Sequence, residues 1–313
     1  MAQFQKRIPV GVIGGFLGAG KTTLVNHLVA SGSQKFGIIV NEFGETGIDG
    51  SLIENVDTDG IAELSNGCLC CVGREDLISA LFKLISRKDK PDYILIELSG
   101  LADPVPVAQT VLDPFARTRF ELDSIIGVAD ARNLEQTLRD GPEGAVQLAY
   151  ANAVVLNKTD LASPEQVDEA EALIRKINPL AQVFRTAQSR VNPQDLLHLR
   201  AFDLDWRPQN YQHLHMPNVQ SFTLSAEGLL ERPKVNKFID QYLISRPDAV
   251  FRAKGFLSVK GFDKQVLFQS VREIFSLELS QEPLQARSRL VVIGRGLNQF
   301  EYEEAFQALK ARL

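Results

Sequence analysis

Up to Phe202 the chain alternates short, continuous apolar runs with stretches of helical periodicity. Ile8 to Ile13 reads as a buried strand, and Thr23 to Val29 carries apolar residues at helical spacing. Phe36 to Val40 is a second strand. Glu75 to about Ser86 is a helix whose apolar positions are Leu77, Ile78, Leu81, Phe82, Leu84 and Ile85. Tyr93 to Ile96 (strand), Val105 to Leu112 (helix), Ser124 to Val128 (strand), Asn133 to Leu138 (helix) and Ala153 to Leu156 (strand) continue the series. Ser163 stands as N-cap and Pro164 at the first helical position of a helix running to about Ile177. Ala181 to Arg185 is a further strand. Uninterrupted apolar strands separated by amphipathic helices predict an α/β fold, with a mostly parallel sheet covered by helices on both faces.

The pattern changes near Phe202. Asp203 to Pro217 is polar and aromatic, with Trp206, Tyr211, His213 and His215, and reads as a linker. Val219 to Leu224 then alternates like a half-buried strand. Pro233 to Leu243 is expected as a helix, Val250 to Val259 as one or two strands, and Asp263 to Phe275 as mixed strand material. Arg289 to Gly294 is a strand and Gln299 to Leu313 a final helix. The division expected is residues 1–202, a linker at 203–218, and a small C-terminal α+β domain at 219–313.

Composition narrows the function classes. Hydrophobic content of 44% and charged content of 23% are those of a soluble globular protein. A formal net charge of -5 argues against nucleic acid as the main partner, because phosphate backbones attract basic surfaces. No apolar run is long enough to span a bilayer, and Met1 to Val10 lacks the apolar core of a signal peptide. A cytoplasmic protein with no membrane partner is expected.

Between the first strand and the first helix lies Gly15-Phe16-Leu17-Gly18-Ala19-Gly20-Lys21-Thr22, which fits G-x-x-x-x-G-K-[ST] at every required position. A strand, a glycine-rich turn and a helix N-terminus together form a nest of backbone N–H groups for phosphate, including Gly15, Gly18, Ala19 and Gly20. Lys21 is expected on the β- and γ-phosphates, the Thr22 hydroxyl on Mg²⁺, and Thr23 beside them.

Asn157-Lys158-Thr159-Asp160 follows a strand directly, at the edge where open α/β sheets bind ligands. The Asp160 carboxylate can accept from N1–H and the exocyclic amine of guanine, a pair of donors that adenine does not offer there. The Lys158 stem can lie along the ring. Asn157 either anchors the strand ends or reaches the base edge, and Thr186-Ala187 is placed to close over the base. GTP is therefore the expected nucleotide. Glu97 ends an apolar strand, where it can hold Mg²⁺ through water or orient the attacking water. Gly100 lets its backbone N–H approach the γ-phosphate. No water-orienting glutamine or arginine finger is evident, so slow turnover is expected. Asp130 reads as a turn former rather than a ligand.

All three cysteines fall together, at Cys68, Cys70 and Cys71. A buried thiol used as a small hydrophobe explains one cysteine, not the clustering. A turn can gather the thiolates about one soft ion, with Zn²⁺ the default and Cu(I) or Co²⁺ as alternatives. A redox pair is the other reading, but the spacing is not C-x-x-C.

Gly15 to Thr23, Asn41-Glu42-Phe43-Gly44, Gly67-Cys68-Leu69-Cys70-Cys71, Glu97 to Pro104 and Asn157 to Asp160 occur in that order. In these segments the chain resembles the CobW-type GTPases, relatives of the metallochaperones that insert nickel into urease and hydrogenase. The resemblance covers the whole length, and C-x-C-C is its most specific element. It implies a metal-delivery GTPase whose metal site lies between the nucleotide switches, with Glu42 as a nucleotide-sensitive ligand. It also implies a client metalloprotein, with the C-terminal domain as the surface for docking the client or for a homodimer contact. Many members carry a histidine-rich tract. Here four histidines are present in all, and only His213-x-His215 is clustered, which argues against metal storage.

Two rival classes stand beside this. A P-loop phosphotransferase would prefer ATP and pass phosphate to a small acceptor. A metal buffer or sensor would bind nucleotide without hydrolysing it.

Overall fold

The computed structural model describes residues 6–41, 61–64, 74–100, 102–199, 214–215 and 219–311. The chain forms two compact units, Met1–Ala172 with Ala181–Ala201 and Leu173–Leu180 with Phe202–Leu313.

In the first unit the strands are β1 (Ile8–Gly15), β2 (Phe36–Asn41), β3 (Ile61–Leu64), β4 (Tyr93–Glu97), β5 (Phe120–Asp130), β6 (Ala153–Asn157) and β7 (Gln182–Arg185). They form one sheet in the order β3-β2-β4-β1-β5-β6-β7, with every neighbouring pair parallel. The helices are α1 (Lys21–Ala30), α2 (Arg74–Ile85), α3 (Val105–Val111), α4 (Leu134–Asp140), α5 (Glu143–Tyr150), α6 (Pro164–Ile177, which from Leu173 on is counted with the second unit) and α7 (Pro193–Leu196). β4 and β6 are buried along their whole length, the result of apolar side chains on both faces. Ile13, Leu24, Leu28, Ile38, Leu95, Ile126 and Val155 belong to one core cluster. Ser163 caps α6: its Oγ accepts from the Gln166 N–H at 3.3 Å while Gln166 Oε1 accepts from the Ser163 N–H at 2.9 Å.

Four elements depart from the sequence expectation. β3, α5 and α7 were not expected; Ile61–Leu64 and Pro193–Leu196 are only four residues each, and α5 is buried on most sides. β5 begins at Phe120, ahead of the expected Ser124. Asp123 interrupts the apolar run there. It sits at a register shift, between Leu122 paired with Val10 and Ser124 paired with Gly11. The buried carboxylate accepts from Tyr93 Oη at 2.6 Å and from the Leu199 N–H at 3.3 Å. Burial and the Asp123 charge push the Tyr93 phenol well above its usual pKa, so it stays a donor.

Because the strands are parallel, their carboxyl ends share one edge. Register makes this specific: Ile13 pairs with Glu97, Gly15 with Val128, Asp130 with Asn157, Val40 with Glu97, and Asn41 with Leu64.

The second unit is an antiparallel sheet of β8 (Leu214–His215), β9 (Gln220–Glu227), β10 (Val250–Leu257), β11 (Lys264–Val271), β12 (Ile274–Pro283) and β13 (Arg287–Gly294). Its order is β12-β11-β10-β13-β9-β8. α8 (Arg232–Phe238) and α9 (Gln299–Gln307) supply Val235, Phe238, Tyr302 and Phe306 to a core with Phe222, Leu224, Phe268 and Leu290. β8, inside the span read as linker, already pairs with β9. The helix expected to run through to Leu243 instead changes at Ile239 to a π-helical turn. The Tyr242 carbonyl there accepts from Tyr302 Oη at 2.8 Å, a partner outside the helical ladder. Among the described residues, no helix is long and apolar enough to cross a membrane.

Candidate functional site

β1 runs into the glycine-rich turn and α1 begins at Lys21. Gly15, Gly18 and Gly20 all hold positive φ, at 147°, 72° and 108°. A Cβ at Gly20 would collide with the Asn157 amide, whereas Gly18 faces open space. The turn is therefore packed tightly on its inner side and open on the outer, as a phosphate cradle requires. Ala19 is buried and its N–H donates to the Phe16 carbonyl at 3.1 Å. Lys21 is 8% exposed and folds back, with Nζ donating to the Phe16 carbonyl at 3.3 Å. Thr23 is exposed in the first turn of α1.

Thr22 Oγ1 donates to Glu97 Oε1 at 2.7 Å, and Glu97 is 3% exposed. A hydroxyl and a carboxylate meeting at the phosphate end of the loop are the oxygen ligands that a hard cation takes. Just beyond, Ser99 Oγ is buried with no hydrogen-bond partner among the described residues, leaving a donor for a ligand oxygen. Gly100 lies against the loop, where a Cβ would stand 2.7 Å from the Leu17 nitrogen.

Asn157 takes the anchoring role of the two open to it. Its Nδ2 donates to the Ala19 carbonyl at 2.9 Å, and its Oδ1 accepts from the Ser189 N–H at 2.7 Å. Ser189 Oγ in turn donates to the Gly20 carbonyl at 3.0 Å. Three segments far apart in sequence are thus locked together: the glycine loop, the end of β6 and the turn after β7. Ser189 is fully buried and left-handed, with φ 53°, and nothing in the sequence marks it. Thr186 belongs to the same turn; its carbonyl accepts from the Thr159 N–H and Oγ1 at 3.1 and 3.0 Å.

Lys158 is also left-handed, with φ 60°, and its Nζ donates to Asp130 Oδ2 at 2.7 Å. Asp130 accepts further from Asn133 Nδ2 and the Arg132 N–H, both at 3.0 Å. Burial alone would raise the Asp130 carboxyl; the bonds from Lys158, Asn133 and Arg132 outweigh it and hold the group below the usual carboxylate range. Asp130 is a turn former, as its sequence context suggests, and also a tether for Lys158. Asp160 is exposed on a short 3₁₀ turn, Thr159–Leu161, with its carboxylate open to a ligand.

Glu42, Cys68, Cys70 and Cys71 lie outside the described residues. Their described neighbours are Asn41 and Leu64, paired on adjacent strands at the same sheet edge as Glu97. Among the described residues no cluster of histidine, cysteine, aspartate or glutamate forms a metal site.

Residues 9–185 match the family model for the CobW/HypB/UreG nucleotide-binding domain, and residues 219–310 match that for the cobalamin synthesis protein cobW C-terminal domain. The chain belongs to the CobW/HypB/UreG family. Among CobW-type relatives, the zinc-regulated GTPase metalloprotein activator 1 of Schizosaccharomyces pombe is 30% identical, over 93% of this chain and 83% of its own length. The zinc chaperone CobW of Pseudomonas aeruginosa is 32% identical, over 94% and 89%. The CobW architecture is also that of the zinc-bound YjiA GTPase from E. coli, whose crystal structure matches with a TM-score of 0.79 at 24% identity, over 98% of this chain and 100% of that one.

Proposed function

We propose that this CobW-type chain binds and hydrolyses GTP and uses the nucleotide state to load and deliver a transition metal, zinc first, to a client protein. Relatives over more than nine-tenths of the chain that are a zinc-regulated GTPase metalloprotein activator and a zinc chaperone support this reading. The observation that carries it is the pairing at one sheet edge. Glu97, bonded to Thr22, lies beside Val40, and the next residue, Asn41, is paired with Leu64. The chain enters the Glu42 segment and the cysteine segment from these two partners, next to the nucleotide loop.

In this reading Gly15, Gly18, Ala19, Gly20, Lys21, Thr22 and Thr23 hold the phosphates, and Asn157, Lys158 and Asp160 form the guanine site. Asn157 does its work through the loop rather than the base. Thr22 would hold Mg²⁺, which would supply positive charge against the phosphate oxygens. Lys21 offers its ammonium to the same oxygens, Glu97 fixes the Thr22 hydroxyl, and the Gly100 N–H faces the γ-phosphate. Cys68, Cys70, Cys71 and Glu42 take the cargo metal. Residues 1–202 carry the GTPase site, 203–218 are the connection, in which β8 already pairs into the second sheet, and 219–313 form the domain that meets the client.

A nucleotide can drive metal release only if the two nucleotide states bind the metal differently, and the metal must then alter nucleotide affinity by the same factor. Zinc affinity measured with a non-hydrolysable GTP analogue and with GDP tests this. Tighter binding in one state is expected; equal affinities would sink the switch.

A further inference from the structure

Gln147 stands in the middle of α5 and is 4% exposed, on a helix whose other buried residues are Gly144, Ala145, Leu148, Ala149 and Tyr150. An apolar residue would pack there at no cost in desolvation, whereas a buried amide is tolerated only when its hydrogens are used. Both are: Nε2 donates to the Ala102 carbonyl at 2.9 Å and to the Gly100 carbonyl at 3.3 Å. The same stretch is turned by an Ala102 N–H bond to the Ser99 carbonyl at 3.1 Å. On its other side Gly100 is pressed against Leu17 of the glycine loop, too close for any side chain at that position. Gln147, Phe16, Leu17 and Asp130 also line one small cavity of about 60 Å³. The segment after β4 is thus held between the phosphate loop and one side chain of α5.

We propose that Gln147 is a positioning residue for γ-phosphate recognition. By holding the Gly100 and Ala102 carbonyls it fixes the Ser99–Ala102 turn on which the Gly100 N–H is carried, and it ties α5 to the nucleotide state. This rests on the reading that Gly100 meets the γ-phosphate. The contribution is specific to GTP, because GDP has nothing at that place to meet.

The test compares the full-length wild type with Gln147→Leu, which keeps the volume and removes both donors. Affinities for GDP and for a non-hydrolysable GTP analogue are measured with Mg²⁺, together with kcat and KM for GTP. Loss of two buried hydrogen bonds should lower Tm and should lower the analogue-to-GDP affinity ratio about tenfold and kcat by a similar factor, with GDP affinity of the folded protein little changed. Gln147→Met, longer and more flexible, serves where leucine is not accommodated. An unchanged ratio and kcat would overturn the proposal, as would equal loss of affinity for both nucleotides, which marks a merely structural role. A wild type that does not distinguish the analogue from GDP would instead remove the reading of Gly100, and the proposal with it.

Discussion

In the first sheet β4 and β6 are buried from end to end, whereas in the second sheet β12 leaves Phe275, Leu277 and Leu279 between 40% and 49% exposed along one face. These three sit opposite Ser270, Phe268 and Val266 of β11, all buried, so the stripe continues the core face past its helical cover. In β4 and β6 the apolar run ends on a polar residue, Glu97 or Asn157, and Gly15 and Asp130 stand at the same carboxyl edge. In the second sheet buried polar side chains, among them Arg252, Lys254 and Gln269, lie along the strands instead. The candidate site of the first unit is thus concentrated at one edge of its sheet.

A large effect is expected in the second core. Phe306 is buried and meets Phe238 edge-on, with ring centroids 5.5 Å apart. Phe306→Ala should cost about 3–5 kcal/mol of that unit's stability. Denaturant unfolding followed beside nucleotide titration separates the two units: GTP affinity should hold. If it falls in step with stability, the contrast drawn between the sheets is wrong and the chain unfolds as one.

Next comes Lys21→Ala, which removes the ammonium from the phosphate site. GTPase kcat should fall about 10²- to 10³-fold, the scale of losing one preorganised electrostatic group. Zinc affinity of the nucleotide-free protein should be unaltered. A metal site damaged equally by this change would mean that the loop supports the cysteine segment directly.

How much of this was readable beforehand follows from range. The glycine loop is legible because each position answers to its own backbone: positive φ at Gly15, Gly18 and Gly20 is a local demand. The role of Asn157 was legible only as one of two alternatives, since its partners Ala19 and Ser189 lie 138 and 32 residues away. Gln147 was invisible for the same reason, its carbonyl partners being 47 and 45 residues distant. The order of strands was legible only as a parallel class. That β4 lies between β1 and β2, which sets Glu97 beside both Ile13 and Val40, is a tertiary fact.

A smaller effect is expected at the Lys158 tether. Asp130→Asn removes the charge that holds Lys158 and should weaken GTP binding about fivefold, below the full value of a buried charged hydrogen bond because Lys158 is partly exposed. The Asp130 pKa is depressed on folding, so its contribution is complete above the unfolded value and is lost as pH falls through the folded one. Wild type and variant should therefore differ throughout the neutral range and converge only below about pH 4. Nucleotide titrations across pH check this; convergence near neutrality would assign the tether to another group.

The smallest effect is predicted on β12. Leu277 is 40% exposed at the edge of the second sheet, so Leu277→Lys gives up little burial and should change stability by no more than about 0.5 kcal/mol. An equivalent change at Leu95, buried in β4, would leave an unpaired charge inside a sheet covered on both faces and should unfold the first unit. The lysine at an edge should also lower self-association at high concentration, since a charged edge resists strand-to-strand pairing. Thermal unfolding and light scattering on the same samples measure both. A large loss of stability from Leu277→Lys would mean that the stripe is covered in solution, and the contrast between the buried strands β4 and β6 and the open face of β12 would then disappear.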